Sequence, residues 1–234
     1  MDMYIYGKLG NLTMTKEGIN VLMTNLTGKV PPILQRLDYI RFNGEAAGYL
    51  HDLTLTGLFH TGAGMVKTDV MMSIDEQSMS RTYSGSVASA DLDLGKLLNQ
   101  EKKFGKVDFN VELKGFNYKN RYPESYIKGI ISSFEYSQYQ YENIMLDGVY
   151  KDGGFNGRLS MDDANGSVQI DGNFNVAKTI PDFNLKASVK NLRPHDLHLS
   201  DKYENASISL GLTADFTGKS IDDMNGAFHW TACN

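Results

Sequence analysis

The feature that most constrains this chain is a two-residue alternation of apolar and polar side chains, repeated with little interruption. In Ser167–Val176 the apolar residues are Val168, Ile170, Phe174 and Val176, set against Ser167, Gln169, Asp171, Asn173 and Asn175. Phe183, Leu185, Ala187 and Val189 alternate with Asn184, Lys186, Ser188 and Lys190. Ala206, Ile208, Leu210, Leu212, Ala214 and Phe216 alternate with Ser207, Ser209, Thr213, Asp215 and Thr217. Successive side chains of a strand point to opposite faces, so each segment has one apolar and one wet face.

The same pattern runs upstream. Ile40, Phe42 and Gly44 alternate with Arg41, Asn43 and Glu45, and Leu53–Phe59 follows before a Thr61-Gly62-Ala63-Gly64 turn. Val66–Asp75, Met79–Ala90 and Val107–Lys114 read as further strands, and Ile127–Tyr136 and Tyr139–Tyr150 flank Ser137-Gln138. Lys151-Asp152-Gly153-Gly154 leads into Phe155, Gly157, Leu159 and Met161, and Asp163-Ala164-Asn165-Gly166 leads into Ser167. Asn-Gly and Gly-Gly supply the positive φ that tight hairpins need. The expectation is an all-β chain, a meander of consecutive antiparallel strands. One or two short helices interrupt it: Pro31–Leu37, with proline at a helix start, and Asp91–Asn99, with an aspartate cap before a pair of leucines. Arg193–Leu199 is a proline-containing connection. Residues 1–234 read as one repetitive β segment, with a subdivision to be looked for near 91–104.

Composition excludes several classes. A net charge of −5 with no block of like charge gives no basic face for nucleic acid. No apolar run is long enough for a membrane span, and Met1–Leu9 alternates like a strand rather than a signal peptide. The lone Cys233 forms no internal disulfide. Gly226–Asn234 reads as a strand that stops partway, so both ends read as cut from a longer chain.

Catalysis needs convergent polar groups, and no convincing set is present. His195 and His198 form an H-x-x-H pair whose spacing does not share a face in a strand or loop, so loop histidines outweigh a metal site. Asp162-Asp163 and Asp222-Asp223 fall at turns, where solvated carboxylates outweigh an acid–base pair. Thr61-Gly62-Ala63-Gly64 lacks the lysine and following helix of a phosphate loop. Phe134, Tyr136, Tyr139 and Tyr141 suit either a stacking platform or, more simply, cross-strand pairing beside a hairpin. Asn11, Asn25, Asn165 and Asn205 begin N-x-S/T triplets, which matter only in a eukaryotic secretory setting. No enzyme, metal or cofactor is expected. What remains is the continuous apolar face. Pattern alone leaves a sandwich or closed barrel level with an open, curved sheet.

Several stretches carry a resemblance. Leu92–Leu98 (LDLGKLL) followed by Phe104–Gly115 (FGKVDFNVELKG) resembles the AsmA/TamB group of Gram-negative envelope proteins. Leu37–Gly44 with Gly48–Leu53, and Tyr139–Gly148, are similar to the same family. The likeness spans Leu34 to Phe228 and rests on β-repeat texture rather than a catalytic fingerprint. It implies a long, twisted, taco-like open groove with an apolar interior. It also implies a periplasmic location in a protein tethered to the inner membrane, with membrane contact made by parts outside this sequence. The implied function is a bridge that carries phospholipid acyl chains between the inner and outer membranes. The implied alternatives for partners are an outer-membrane barrel and nascent outer-membrane strands guided by β-augmentation. A glycan-binding sandwich using Tyr136–Tyr141 is the reading outside the family. The expected groove lining is Val107, Phe109, Val111, Leu113, Phe155, Leu159, Met161, Val168, Ile170, Phe174, Phe183, Leu185, Val189, Ile208, Leu210, Leu212 and Phe216, with Lys186 and Asn173 on the wet face.

Overall fold

The computed structural model describes residues 4–27, 30, 32–49, 51–75, 77–78, 80–117, 124–175, 178–200, 204–218 and 225–232. Pro31, Met79, Val176, Asp222, Asp223 and Cys233, all read above, lie outside them. The strands are β1 (Tyr4–Thr15), β2 (Tyr39–Tyr49), β3 (Asp52–Thr61), β4 (Gly64–Ile74), β5 (Arg81–Asp93), β6 (Phe104–Asn117) and β7 (Glu124–Tyr136). They continue as β8 (Tyr139–Lys151), β9 (Gly154–Asp163), β10 (Gly166–Asn175), β11 (Asp182–Leu192), β12 (Ile208–Thr217) and β13 (Asn225–Ala232). All thirteen form one sheet in strict sequence order, each strand antiparallel to the next. β1 and β13 are its two edges, so the sheet does not close into a barrel. Among the described residues there is no second sheet to make a sandwich. The sheet also runs unbroken through 91–104, because β5 pairs directly with β6.

Charges alternate in sign along the wet face. Glu112, Lys128, Asp147, Arg158, Asp171 and Lys186 stand opposite one another in turn across β6 to β11, alternating in sign. Lys128 Nζ lies 3.5 Å from Asp147 and Arg158 Nε lies 2.6 Å from Asp171. Hydrogen bonds from Gln169 and Arg158 hold the Asp171 carboxyl below the usual carboxylate range. Exposed pairs of this kind add little stability, but a two-residue slip would separate them, and a one-residue slip would turn every apolar residue outward.

The apolar face needs help to stay in phase. At Leu9/Leu12, Ser89/Leu92 and Val189/Leu192 the register shifts, and Asn11, Asp91 and Asn191 there take φ of 62°, 59° and 49°. These are β-bulges built on residue types that tolerate a left-handed backbone. Each lets two residues three positions apart share a face: Leu9 with Leu12, Ser89 with Leu92 and Val189 with Leu192. Hairpin chemistry departs from expectation in one place. The two-residue β7–β8 turn uses Ser137 and Gln138, both at positive φ, without glycine. Asp152-Gly153 makes the β8–β9 turn.

Helices gather along one lip of the sheet. α1 (Lys16–Thr27) follows β1, a 3-10 turn covers Leu34–Arg36, and α2 (Leu94–Leu98) links β5 to β6. Asp93 caps α2, accepting from the Lys96 N–H at 2.8 Å. The expected helix at Pro31–Leu37 shrinks to the 3-10 turn, and α1 was not foreseen. Ile19, Leu37, Ile40, Ala63, Leu92, Leu97 and Val107 form the buried core there, with Met14, Met23, Phe59, Val66 and Phe109 packed against it. This cap folds over the strand ends and shuts one lip.

Candidate functional site: an uncovered apolar face

Cross-strand partners share a face, so the pairing register shows where each lining residue stands. One row runs Phe42, Phe59, Val66, Ser89, Phe109, Ile131, Ile144, Met161, Val168, Val189 and Leu210. A second runs Val111, Gly129, Leu146, Leu159, Ile170, Ala187, Leu212 and Trp230. A third includes Leu113, Ile127, Gly148, Gly157, Gly172, Leu185, Ala214 and Phe228. The fourth, near the open lip, runs Tyr150, Phe155, Phe174, Phe183 and Phe216. Val107 and Ile208 belong to the same face through Leu92 and Leu192. All seventeen expected lining residues therefore lie on one face, while Lys186 and Asn173 are exposed on the other.

Two of these placements correct the expectation. Val107 is 6 % exposed and sits in the cap core, and Phe109 packs against that core. At β6 the lining begins at Val111. The face also extends further than expected, through Leu55, Val70 and Val87 upstream and Phe228 and Trp230 downstream. The same alternation marked these residues in the sequence.

Away from the capped lip, no other described element packs on this face, and its own side chains shield one another. Phe155, Phe174, Phe183, Phe216, Phe228 and Trp230 form a ladder of rings with centroids 4.6–6.4 Å apart. Phe42 lies over Gly44 and Gly57, where a Cβ at Gly44 would stand 2.6 Å from the Gly57 Cα and 2.7 Å from the Phe42 ring. Glycine is required there because the aromatic ring and the neighbouring strand occupy the space. Ala214 is 1 % exposed, but Phe174 and Ile208 remain 37 % exposed, and Trp230 reaches 64 %.

The other candidates resolve into structure. Phe134, Tyr136, Tyr139 and Tyr141 pair across the β7–β8 hairpin, and Tyr139 meets Tyr141 edge-on at 4.8 Å. Residues 193–200 fold over them. Tyr141 Oη donates to the Leu197 carbonyl at 2.7 Å, and Leu197 is 0 % exposed. His198 Nδ1 lies 2.9 Å from the Ser137 carbonyl, which can only accept, so that nitrogen carries the proton. His195 Nδ1 instead lies 3.6 Å from Asp196 Oδ1. Asp163 accepts from the Tyr139 hydroxyl at 2.5 Å and from the backbone N–H groups of Glu142 and Asn165. Burial, then the bond to Asp163, pushes the Tyr139 phenol up to about 12. Burial also raises Tyr141. Thr61 to Gly64 form the β3–β4 turn, where the Gly62 carbonyl accepts from Lys96 Nζ at 3.1 Å. Among the described residues no three His, Cys, Asp or Glu side chains lie together as a metal would need. No helix among them is long and apolar enough to cross a membrane.

Set against protein-family models, curated proteins and solved structures, the chain matches none.

Proposed function

We propose that the apolar face carries lipid acyl chains, and that the chain works as a segment of a periplasmic AsmA/TamB-like bridge between inner and outer membranes. One observation carries this reading: a single sheet of thirteen strands keeps one face predominantly apolar, and among the described residues no second layer packs on most of its length. At about 4.8 Å per strand, twelve spacings give a track roughly 58 Å long. Burying a methylene is worth about 0.8 kcal/mol, so a mostly buried chain of about 14 carbons gains on the order of 10 kcal/mol over water. A lipid held so does not leave quickly into water. It slides, because each step along a row exchanges one apolar contact for a similar one. With one lip capped by α1, α2 and residues 193–200, the headgroup projects past the other lip, where the phenylalanine row lies.

A second reading, a scaffold that guides outer-membrane strands by β-augmentation, rests on the free edges at β1 and β13. Bound lipid discriminates between them. The test is photocrosslinking in cells from probes at Ile170, in the second row, and at Lys186, opposite Asp171 on the wet face. The expected result is lipid adducts at Ile170 and none at Lys186. Equal adducts at both, or none at either, would refute the conduit and leave the scaffold ahead. Ile170→Asp, which sets a charge on the apolar face, should block passage, and Lys186→Asp should be nearly silent.

A further inference from the structure

We propose that a cleft on the wet face, between β4 and β8, binds a small aromatic monocarboxylate, with the carboxylate on Lys114 and the ring against Met71, Phe116 and Tyr126. The register builds the cleft. Met71, Ser84, Lys114, Tyr126 and Val149 stand opposite one another in turn across β4 to β8. Beside that row, Thr82 of β5 stands opposite Phe116 of β6, which stands opposite Glu124 of β7. The short hydroxyl side chains of Thr82 and Ser84 thus lie between the longer ones of β4 and β6, and a hollow of about 530 Å³ opens over them. Ordinary small-molecule sites run from about 300 to 1,000 Å³ and pair mostly apolar walls with a few polar groups. Met71 and Tyr126 remain 48 % and 39 % exposed, on a face whose next row is charged from Glu112 to Lys186. Apolar side chains grouped in a hollow on an otherwise polar face are what a ligand covers.

Charge selects the ligand. Around the cleft, Lys128 lies 3.5 Å from Asp147 and Lys151 lies 2.8 Å from Glu124. Lys114, the only cation among the lining residues, is exposed and has no carboxylate or hydrogen-bond partner among the described residues. A lone lysine is a point charge with three donors, which suits a single carboxylate. A doubly charged phosphate would set its second charge near Glu112 and Glu124 with no second cation lining the cleft. Thr82 and Ser84 add hydroxyls that can donate to the same carboxylate. Tyr126 Oη donates to Asp147 at 2.8 Å, so the hydroxyl is engaged and the ring is held as a wall. An aromatic ligand then meets two rings and the Met71 thioether, which favour edge and offset contacts with a π-system. The cleft lies on the face opposite the apolar rows, so nothing in it depends on what those rows carry.

The test is an amide NMR titration of the 234-residue chain with 3-phenylpropionate and, separately, with its neutral counterpart 3-phenylpropanamide. The acid should give saturable shifts at Ser84, Lys114 and Tyr126, and the amide should bind roughly tenfold more weakly. Lys114→Gln removes the charge and keeps most of the side-chain length. It should weaken the acid roughly tenfold and leave the amide as it was, with far-UV circular dichroism unchanged. Lys186→Gln, at an exposed lysine on the same face outside the cleft, should alter neither. No saturable shift up to about 10 mM acid overturns the proposal. So do shifts centred on Ile170 and Phe174 of the apolar face, equal binding of acid and amide, or a Lys114→Gln variant that binds the acid like the parent.

Discussion

Residues 193–200 should act as a latch on the closed lip, and Leu197 is where to break it. Leu197 is fully buried, and its carbonyl accepts from Tyr141 Oη at 2.7 Å, which ties the β11–β12 connection to β8. Leu199, two residues on, is 54 % exposed. Truncating a fully buried leucine removes both transfer energy and packing, for about 3 kcal/mol within the usual 2–5 kcal/mol range. Tyr141→Phe leaves the Leu197 carbonyl unpaired in a buried site and should cost about 1–3 kcal/mol. Leu199→Ala should fall within about 0.5 kcal/mol. In an elongated sheet the latch can open without global unfolding, so the assay is hydrogen exchange of the amides of Leu197 and Leu199, which donate to Arg193 and Pro194. A loss of 3 kcal/mol corresponds to exchange roughly a hundredfold faster. Leu197→Ala should show that acceleration at both amides, Tyr141→Phe a smaller one, and Leu199→Ala almost none. Equal exchange in the Leu197 and Leu199 variants would show that burial at Leu197 does not hold the segment down.

Two further outcomes are expected. Tyr139 is raised to about 12 by burial and by its bond to Asp163, so it favours the folded state below about pH 10, and that contribution is lost as pH rises toward 12. An NMR titration of the tyrosine Cζ resonances should show Tyr139 ionising last, and Asp163→Asn should bring it down; a Tyr139 that titrates with the exposed tyrosines would contradict the packing at this hairpin. Gly44→Ala should destabilise the protein by about 1–3 kcal/mol in urea, because the new Cβ meets the Gly57 backbone and the Phe42 ring. Gly10→Ala, with open space at its Cβ position, should fall within about 0.5 kcal/mol, and equal losses at both would refute the crowding argument.

The alternation in Phe183–Val189 and Ile208–Phe216 is enough to assign strands and faces, because period-2 patterning is a local property of one strand. Whether those faces pack on each other or stay open is not local. It depends on strand order, and only the pairing of β1 with β2 and of β12 with β13, with no contact between the edges, decides it. The bulges were harder to read. Ser89 to Leu92 and Val189 to Leu192 break the alternation, and the Asp91 and Asn191 that repair it look in the sequence like ordinary polar positions. α1 went unseen because Gly18, Asn20, Val21 and Thr24 are weak helix formers, and it is the burial of Ile19 where α1 packs on β1, β2 and the 3-10 turn that holds it. Val107 and Phe109 alternate like any lining pair. Nothing within β6 reveals that α2 will cover them.

That last failure bears on how such a face works. A row of apolar residues is chemically the same whether a cap core or a passing acyl chain covers it, and the difference lies in what the neighbouring lip does. Here the register shifts at Leu9/Leu12, Ser89/Leu92 and Val189/Leu192 all fall toward the lip that carries α1, α2 and residues 193–200. Bulges increase local twist. The closed lip is thus where the register shifts and where the long connections 16–38, 94–103 and 193–207 lie. Among the described residues the opposite lip keeps strict alternation from Leu113 through Leu185 to Phe228 and carries no helix. An apolar strip confined between a packed lip and a free one can hold a chain along its length while leaving a headgroup in water. Under the proposed function, that asymmetry, more than the amount of apolar surface, is what suits the face to carrying a chain.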